Sequence, residues 1–249
     1  MHPPATRTRA LALIRAGHND CEVARRTGIP RTTVRDWRRP RYYRHPDAPP
    51  SVTCPRCWDA SRPMMFTDAD YAHLLGLYLG DGHIVRQRRT YKLRLFLDSK
   101  YREIVQDSRH LLTRCFPYND AGTAYAHEGR MTILSVHSRH MPCAFPQHGP
   151  GPKHLRPIEL ERWQETIIDT APWEFLKGLI RSDGCSFINR TGPYEYLSYH
   201  FSNHSEDIIG LFCRTCDAVG LDYRRYRQAV RINRRASVAR LQAEIGVKR

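Results

Sequence analysis

Two acidic residues, Asp81 and Asp183, end two copies of one short apolar pattern that run from Leu74 to Gly82 and from Leu176 to Gly184. The copies lie roughly a hundred residues apart, about the size of a small domain, which indicates two similar half-domains. Two carboxylates that are held close together cannot both ionise without a cation beside them. Hard oxygen ligands favour Mg²⁺ or Mn²⁺. Paired carboxylates with such an ion are a recurrent means of hydrolysing a phosphodiester bond.

The elements that position these acids are predicted to be two helices with a glycine in the middle of each. A glycine has no Cβ, so two helix backbones can approach closely there. We therefore expect Gly76 to face Gly178, with Gly80 and Ser182 one turn further along the same contact. The two acids would then meet where both helices end.

The residues after each motif predict one order of elements: hairpin, helix, hairpin and, at the chain end, a closing helix. The predicted strands and helices are 83–85, 91–97, 100–115, 123–127 and 131–136 in one half, and 185–189, 196–203, 205–219, 223–228, 230–233 and 237–245 in the other. Phe96 is expected to correspond to Phe201. The halves are assigned to residues 68–152 and 153–249. The predicted fold is α+β, a duplicated αββαββα domain in which two antiparallel sheets form a saddle about a pseudo-twofold axis.

Residues 1–46 predict a separate all-α helix-turn-helix domain with helices at 7–16, 21–26 and 31–38. Thr32, Thr33 and Arg35 are expected to meet base edges, while Arg31 and Arg38 hold phosphates. Arg41 belongs to a basic, proline-broken arm that could follow a minor groove. A small helical bundle with a basic face and no reading role remains the alternative.

Basic charge is concentrated at the two ends of the sequence. The net charge is +15; residues 1–46 contain 11 arginines against three acidic residues, and residues 220–249 contain nine Lys or Arg against two. Localised basic charge indicates a polyanionic partner, and arginine suits phosphate and guanine contacts. A solvated basic surface is the competing interpretation.

The cysteines suggest a metal site of another kind. Cys54 and Cys57 form a CxxC knuckle, within residues 47–67, of the type that binds structural Zn²⁺. Cys213 with Cys216, or the stretch 143–154, could supply the missing ligands, but a cysteine within a helix is commonly just buried. No membrane span and no apolar signal region are found in the sequence, so a cytoplasmic or nucleoid-associated location is expected.

The paired motifs resemble the LAGLIDADG homing endonucleases of the two-repeat, single-chain type, over roughly residues 68–249. The resemblance implies that Asp81 and Asp183, with the following Gly82 and Gly184, form the divalent-metal site. The earlier acid of the motif is replaced by Leu79 in one copy and Arg181 in the other, a position that is not the ligand in that family.

The resemblance also implies a basic group near the scissile phosphate and a saddle that lies along the DNA major groove. Lys153 and Lys248, each near the end of one half, are the candidates for the basic group. The candidates to line the saddle are Lys92, Arg94, Arg224, Arg225, Arg227 and Arg231. Plain solvated arginine is the alternative at each of them.

The leading hypothesis is therefore a monomeric, site-specific endonuclease that cuts double-stranded DNA. A transcription regulator that binds DNA through the same fold without cutting is the main alternative. An RNA maturase is a third, which the helix-turn-helix disfavours because that motif reads B-form duplex.

Overall fold

The structure is a computed structural model that describes residues 4–38, 66–117 and 119–248. The described residues divide into two compact units, one within residues 1–49 and the other within 50–249. The predictions for Arg41, Cys54 and Cys57 lie outside the described residues.

The first unit consists of three short helices: α1 (Pro4–Arg15), α2 (Asp20–Thr27) and α3 (Arg31–Arg38). The Asn19 side chain accepts a hydrogen bond from the Glu22 amide and caps α2, as its residue type predicts. Gly28, with φ of +69°, ends α2 in the left-handed conformation that turns the chain towards α3. The three helices enclose a small core of Ala10, Val23, Ile29 and Val34.

The second unit holds two halves with the same order of elements. The first half contains α4 (Asp68–Leu79), β1 (Gly82–Arg86), β2 (Tyr91–Asp98), α5 (Arg102–Cys115), β3 (Gly122–Ala126), β4 (Met131–Ser138) and α6 (Met141–Ala144). The second half contains α7 (Arg162–Thr170), α8 (Pro172–Asp183), β5 (Gly184–Thr191), β6 (Tyr194–Ser202), α9 (Glu206–Ala218), β7 (Arg224–Arg225), β8 (Ala229–Ile232) and α10 (Arg235–Ile245). The predicted α+β duplication is confirmed.

One helix of the second half, α7, was not predicted. Trp163, Ile167 and Ile168 recur at helical spacing, and Glu161 with Gln164 forms a capping box at its start. Gln164 is fully buried, and its amide donates to the Tyr71 hydroxyl of α4 at 2.7 Å. The helix therefore ties the connection between the halves to the first motif helix.

Each half folds its strands into a four-stranded antiparallel sheet with equivalent order, β1-β2-β4-β3 and β5-β6-β8-β7. The motif glycine Gly82 pairs with Leu95, and Gly184 pairs with Phe201. Leu95 is thus the counterpart of Phe201, and the predicted correspondence of Phe96 with Phe201 is wrong by one residue. The error reverses faces, because alternate residues of a strand point to opposite sides of a sheet.

Both sheets pack one face against helices and a single core spans the two halves. Leu93, Leu95 and Leu97 of β2 are buried, which confirms the alternation predicted for that strand. In the second half, Tyr199 and Phe201 fill the same role. Among the residues described, no helix is long and apolar enough to cross a membrane.

Candidate functional site

The site is positioned by the close crossing of α4 and α8. A Cβ added to Gly76 would lie 2.6 Å from the Phe175 carbonyl oxygen and 2.9 Å from the Gly178 Cα. A Cβ on Gly178 would lie 2.3 Å from the His73 carbonyl oxygen and 2.9 Å from the Gly76 Cα. The contact is reciprocal, as a local twofold axis requires. The predicted glycine-to-glycine crossing is confirmed.

The crossing continues to the ends of both helices, where the acids lie. A Cβ on Gly80 would meet the Ser182 side chain and would lie 3.2 Å from Asp183 Oδ2. The carboxyl group of Asp183 therefore lies against the backbone of the residue before Asp81. Burial and, after it, the negative charge of Asp183 together raise the pKa of Asp81 to about 7, while Lys248 and Lys153 oppose the shift.

The two acids are not equivalent, because Asp183 has an amide partner. Asn203 Nδ2 donates to Asp183 Oδ2 at 2.5 Å, and Asn203 Oδ1 accepts from the Ser205 amide at 2.8 Å. Burial raises the pKa of Asp183, and the hydrogen bond from Asn203 opposes that rise. Sequence reasoning missed Asn203; the available signal was a polar residue directly after β6, at the edge where both motifs end.

The two candidate lysines each bind the carbonyl end of one motif helix. Lys153 Nζ donates to the carbonyl oxygens of Tyr78, Leu79 and Gly80 at 2.5, 2.9 and 2.7 Å. Lys248 Nζ donates to the Ser182 carbonyl oxygen at 2.6 Å. Cations stabilise helix C-termini, and here the helix ends carry the acids.

Both lysines are half-buried close to the acids, and their pKa values respond to that position. Burial lowers the pKa of Lys153 to about 8, although the Asp183 and Asp81 carboxylates act in the opposite direction. Burial likewise lowers the pKa of Lys248, against the same two carboxylates. The end of each motif helix thus has one acid and one ammonium group beside it.

A cleft of about 480 Å³ opens beside the acids. Its wall includes Lys153 and Asp183, the connecting segment 148–156, and the histidines His83, His148, His154 and His204. Gln147 anchors that segment by donating to the Glu159 carbonyl oxygen at 2.8 Å and to the buried Gln164. The connection between the halves therefore forms part of the site and presents Lys153, one of the two lysines predicted for it.

The residues at this point fit a hard divalent cation. The acids offer carboxylate oxygens, and a cation would oppose both the burial and the negative charge of Asp183 that together raise the pKa of Asp81. No group of three or more His, Cys, Asp or Glu that could hold a metal occurs in the described ranges. A cation here would depend on the two acids together with backbone, water or substrate oxygens.

Of the basic residues predicted to line the saddle, four lie on the sheet faces that are turned away from the core. Lys92 and Arg94 alternate with the buried leucines of β2. Arg231 of β8 pairs with Arg224 of β7 and with His200 of β6. These three residues therefore lie on the face of the sheet opposite to that of Tyr199 and Phe201. Here we call these two sheet faces, which carry Lys92, Arg94, Arg224 and Arg231, the open faces.

The other two predicted residues are placed differently. Arg225 lies on the helix-facing side of its sheet, where its Nη2 contacts Glu206 Oε2 of α9 at 2.7 Å. Arg227 is exposed in the turn between β7 and β8. An arginine already engaged with an acid on the far face is poorly placed for the role predicted for Arg225.

In the first unit, α3 presents Arg31, Thr32 and Arg35 to solvent, and Thr33 is half-buried. Arg38 instead binds Asp20 Oδ1 at 2.5 Å through its Nε, and its Nη2 donates to the His18 carbonyl oxygen. These bonds join the end of α3 to the start of α2. The phosphate contact predicted for Arg38 would have to compete with them.

The proposed zinc partners of the CxxC knuckle find little support. Cys213 and Cys216 are buried in α9, and burial raises the pKa of both thiols, that of Cys216 strongly. A thiol must lose its proton to bind zinc, so this environment disfavours the role. The zinc prediction for Cys54 and Cys57 stays a prediction.

The raised pKa of Asp81 gives a testable dependence of stability on pH. The pKa of Asp81 is higher in the folded state than its ordinary value of 3.8. The protonated carboxyl group therefore stabilises the folded state fully below pH 4, and this stabilisation is lost as the pH rises through 7. The change in the free energy of unfolding that Asp81→Asn causes in the metal-free protein should therefore be more stabilising at pH 8 than at pH 4, by on the order of 2 kcal/mol. Urea titrations at both pH values measure this, and an equal effect at both would contradict the placement of Asp81.

Lys153 gives a second prediction. Lys153→Met removes the three hydrogen bonds to the end of α4 and one positive charge beside the acids. We expect cleavage of a bound duplex to slow by on the order of a hundredfold while duplex affinity changes little. Single-turnover rates measure this. Lys177→Met is the matched control, since Lys177 contacts Glu174 on α8 away from the helix end.

Comparison with known proteins gave matches of two kinds. Residues 2–40 match a family model described as a homeodomain-like domain. A search of the curated proteins found no match to this chain.

Several solved structures are similar to the second unit. The N-terminal LAGLIDADG domain of WhiA is 14% identical with a TM-score of 0.46, over 73% of this chain and 83% of that one. The homing endonuclease I-DmoI in complex with DNA and Mn is 14% identical with a TM-score of 0.48, over 72% and 97%. The meganuclease I-AabMI bound to uncleaved DNA is 11% identical with a TM-score of 0.45, over 70% and 82%.

Proposed function

We propose that this protein binds double-stranded DNA and hydrolyses its phosphodiester bonds at a specific site with a divalent metal ion. The observation that carries the proposal is the convergence of Asp81 and Asp183 at the ends of two crossing helices, beside Lys153 and Lys248. A purely structural helix crossing has no need of two half-buried acids, one of which raises the pKa of the other, and such perturbed groups are typical of functional sites.

The distribution of basic residues supports duplex DNA as the substrate. Arg31, Thr32 and Arg35 lie exposed along α3, the element that a helix-turn-helix places in the major groove. The open faces of the second unit add Lys92, Arg94, Arg224 and Arg231. A substrate that contacts both regions would be a long, polyanionic one, and the net charge of +15 favours its approach.

The residues of the site have separable tasks in the proposed reaction. Asp81 and Asp183 would hold Mg²⁺ or Mn²⁺ through their carboxylate oxygens. Gly82 and Gly184, which follow them in the chain, would contribute backbone groups to the same site. Bound there, the ion would supply Lewis-acid chemistry at the phosphate. Asn203 fixes the orientation of the Asp183 carboxylate. Lys153 and Lys248 hold both helix ends in place and keep positive charge beside the phosphate on which negative charge develops.

Because both acids belong to one chain, the proposed enzyme acts as a monomer. The halves differ at the site, since Asp183 has an amide partner and Asp81 has none of this kind among the described contacts. A target for this enzyme would therefore be asymmetric in sequence.

In vitro selection tests the proposal directly. The full chain is incubated with a library of random duplexes, one portion in Mg²⁺ and one in EDTA, and bound or newly ended molecules are sequenced. We expect one enriched motif in both portions and new ends within that motif only in Mg²⁺. An enriched motif that stays intact in both portions would contradict cleavage and favour a transcription regulator. Tighter binding to structured RNA than to any duplex would favour a maturase.

A further inference from the structure

An open groove lies in the first half, between α5 and the edge strand β3. Its volume is about 610 Å³, and Tyr125 of β3 is 72% exposed beside it. The lining residues include Arg102, Arg109 and His110 of α5 and Thr123 and Tyr125 of β3. Three of these are basic and none is acidic, so the groove has a positive electrostatic character.

Strand pairing identifies the position in the second half that is equivalent to this groove. Reading across the first sheet from the motif glycine, Gly82 pairs with Leu95, Leu95 with Leu134, and Leu134 with Thr123. The same reading across the second sheet leads from Gly184 through Phe201 and Val230 to Arg225. Thr123 and Arg225 therefore occupy equivalent positions on the two outer strands.

In the second half, side chains join the outer strand to the helix beside it. Arg225 forms an ion pair at 2.7 Å with Glu206, the first residue of α9. Two residues earlier, Tyr223 packs against the core, and its hydroxyl donates to Asp217 Oδ2 of α9 at 3.1 Å. These two contacts bridge the outer strand and the helix.

In the first half, each of these groups is replaced. Thr123 stands in place of Arg225, and Arg102, the first residue of α5, stands where α9 has Glu206. Ala121 takes the place of Tyr223. The substitutions exchange an ion pair for an exposed arginine and a large ring for a methyl group, and the groove remains open.

The strand beside the groove is also suited to pairing. β3 is the outer strand of its sheet and pairs only with β4 among the described strands. Its sequence, Gly-Thr-Ala-Tyr-Ala, carries no charge and no proline, which are the usual protections of an exposed edge. The corresponding strand of the second half, β7, consists of two arginines.

We propose that the β3 edge and its groove bind an extended, acidic segment of a partner protein, which adds to the sheet as a fifth strand. Strand addition would satisfy the free backbone groups of β3, and acidic side chains would reach Arg102 and Arg109. A second copy of this chain is disfavoured as the occupant because its own arginines would face these two. DNA is disfavoured because Thr123 and Tyr125 point to the helix side of the sheet, opposite to the open face.

The test uses a fluorescein-labelled, acetylated eight-residue peptide in which Glu and Val alternate. A second peptide with Pro in place of each Val keeps the charge but cannot add as a strand. Arg102→Glu combined with Thr123→Arg rebuilds in the first half the ion pair of the second. Arg89→Ala, in the exposed turn between β1 and β2, changes the net charge by the same amount and serves as the control.

Anisotropy titrations should show binding of the Val peptide, binding at least roughly tenfold weaker for the double variant, and unchanged binding for Arg89→Ala. Hydrogen exchange should show protection of residues 122–126 by the Val peptide. Equal affinity for the Pro peptide, or undiminished binding by the double variant, would overturn the proposal. It would also fail if the double variant lost affinity for duplex DNA, because the groove would then be a nucleic-acid surface.

Discussion

Asp81→Asn and Asp183→Asn are each expected to reduce cleavage of the selected duplex by on the order of a thousandfold or more, with duplex affinity retained. Each change keeps the size of the side chain and removes the charge that a divalent cation needs. The acids lie at the end of the α4–α8 crossing in the second unit, whereas the exposed residues of α3 belong to the first unit. Cleavage of an end-labelled duplex at saturating protein separates the rate of cutting from binding.

Asp169→Asn is the matched control for these variants. Asp169 is exposed on α7, and its replacement removes one negative charge without touching the site. Its cleavage rate should equal that of the unmodified protein. Persistent cutting by either Asp81→Asn or Asp183→Asn would show that the acids are structural helix ends.

Gly178→Ala is expected to have the largest effect on stability. The added methyl carbon would meet the His73 carbonyl oxygen at 2.3 Å and the Gly76 Cα at 2.9 Å, both of them backbone atoms in the middle of α4. The helices would have to move apart, and the core that they share would open. We expect a loss of about 3 kcal/mol or more in the free energy of unfolding, measured by urea titration.

Gly210→Ala provides the control within another helix of the same unit. A Cβ at Gly210 of α9 meets only the Arg214 side chain, at 3.5 Å, so alanine should be neutral or stabilising there. The close contact can also be tested with a compensating substitution. The methyl group added by Gly80→Ala would meet the Ser182 side chain, and Ser182→Gly in the same protein should restore part of the lost stability. Equal stability of Gly178→Ala and Gly210→Ala would contradict the crossing.

The duplicated motif made much of this architecture predictable. Glycines at equal spacing in two apolar helices permit few arrangements other than a face-to-face crossing, and the alternation of Leu93, Leu95 and Leu97 determines which face of β2 is buried. The first unit was predictable for a similar reason, because Asn19 and Gly28 mark the ends of α2 through local chemistry.

Features that depend on contacts between distant residues were not predictable. The β5–β6 hairpin is longer than the β1–β2 hairpin, and only the pairing of Gly184 with Phe201 shows where the extra residues lie. Asn203 is one of several polar residues after β6, and its contact with Asp183 arises from the meeting of strand and helix ends. Arg225 shows the same limit: its type suggested DNA, but its position in the pairing turns it towards Glu206.

The most direct test of a shared metal site is to count Mn²⁺ bound to the complex of the protein with its selected duplex, by electron paramagnetic resonance at pH 8. This pH lies above the pKa of about 7 for Asp81, so that carboxyl group is available as a ligand. We expect tightly bound Mn²⁺ in the complex of the unmodified protein and of Asp169→Asn. That signal should be lost when Asp81→Asn and Asp183→Asn are combined. Unchanged Mn²⁺ binding by the combined variant would contradict a shared metal site.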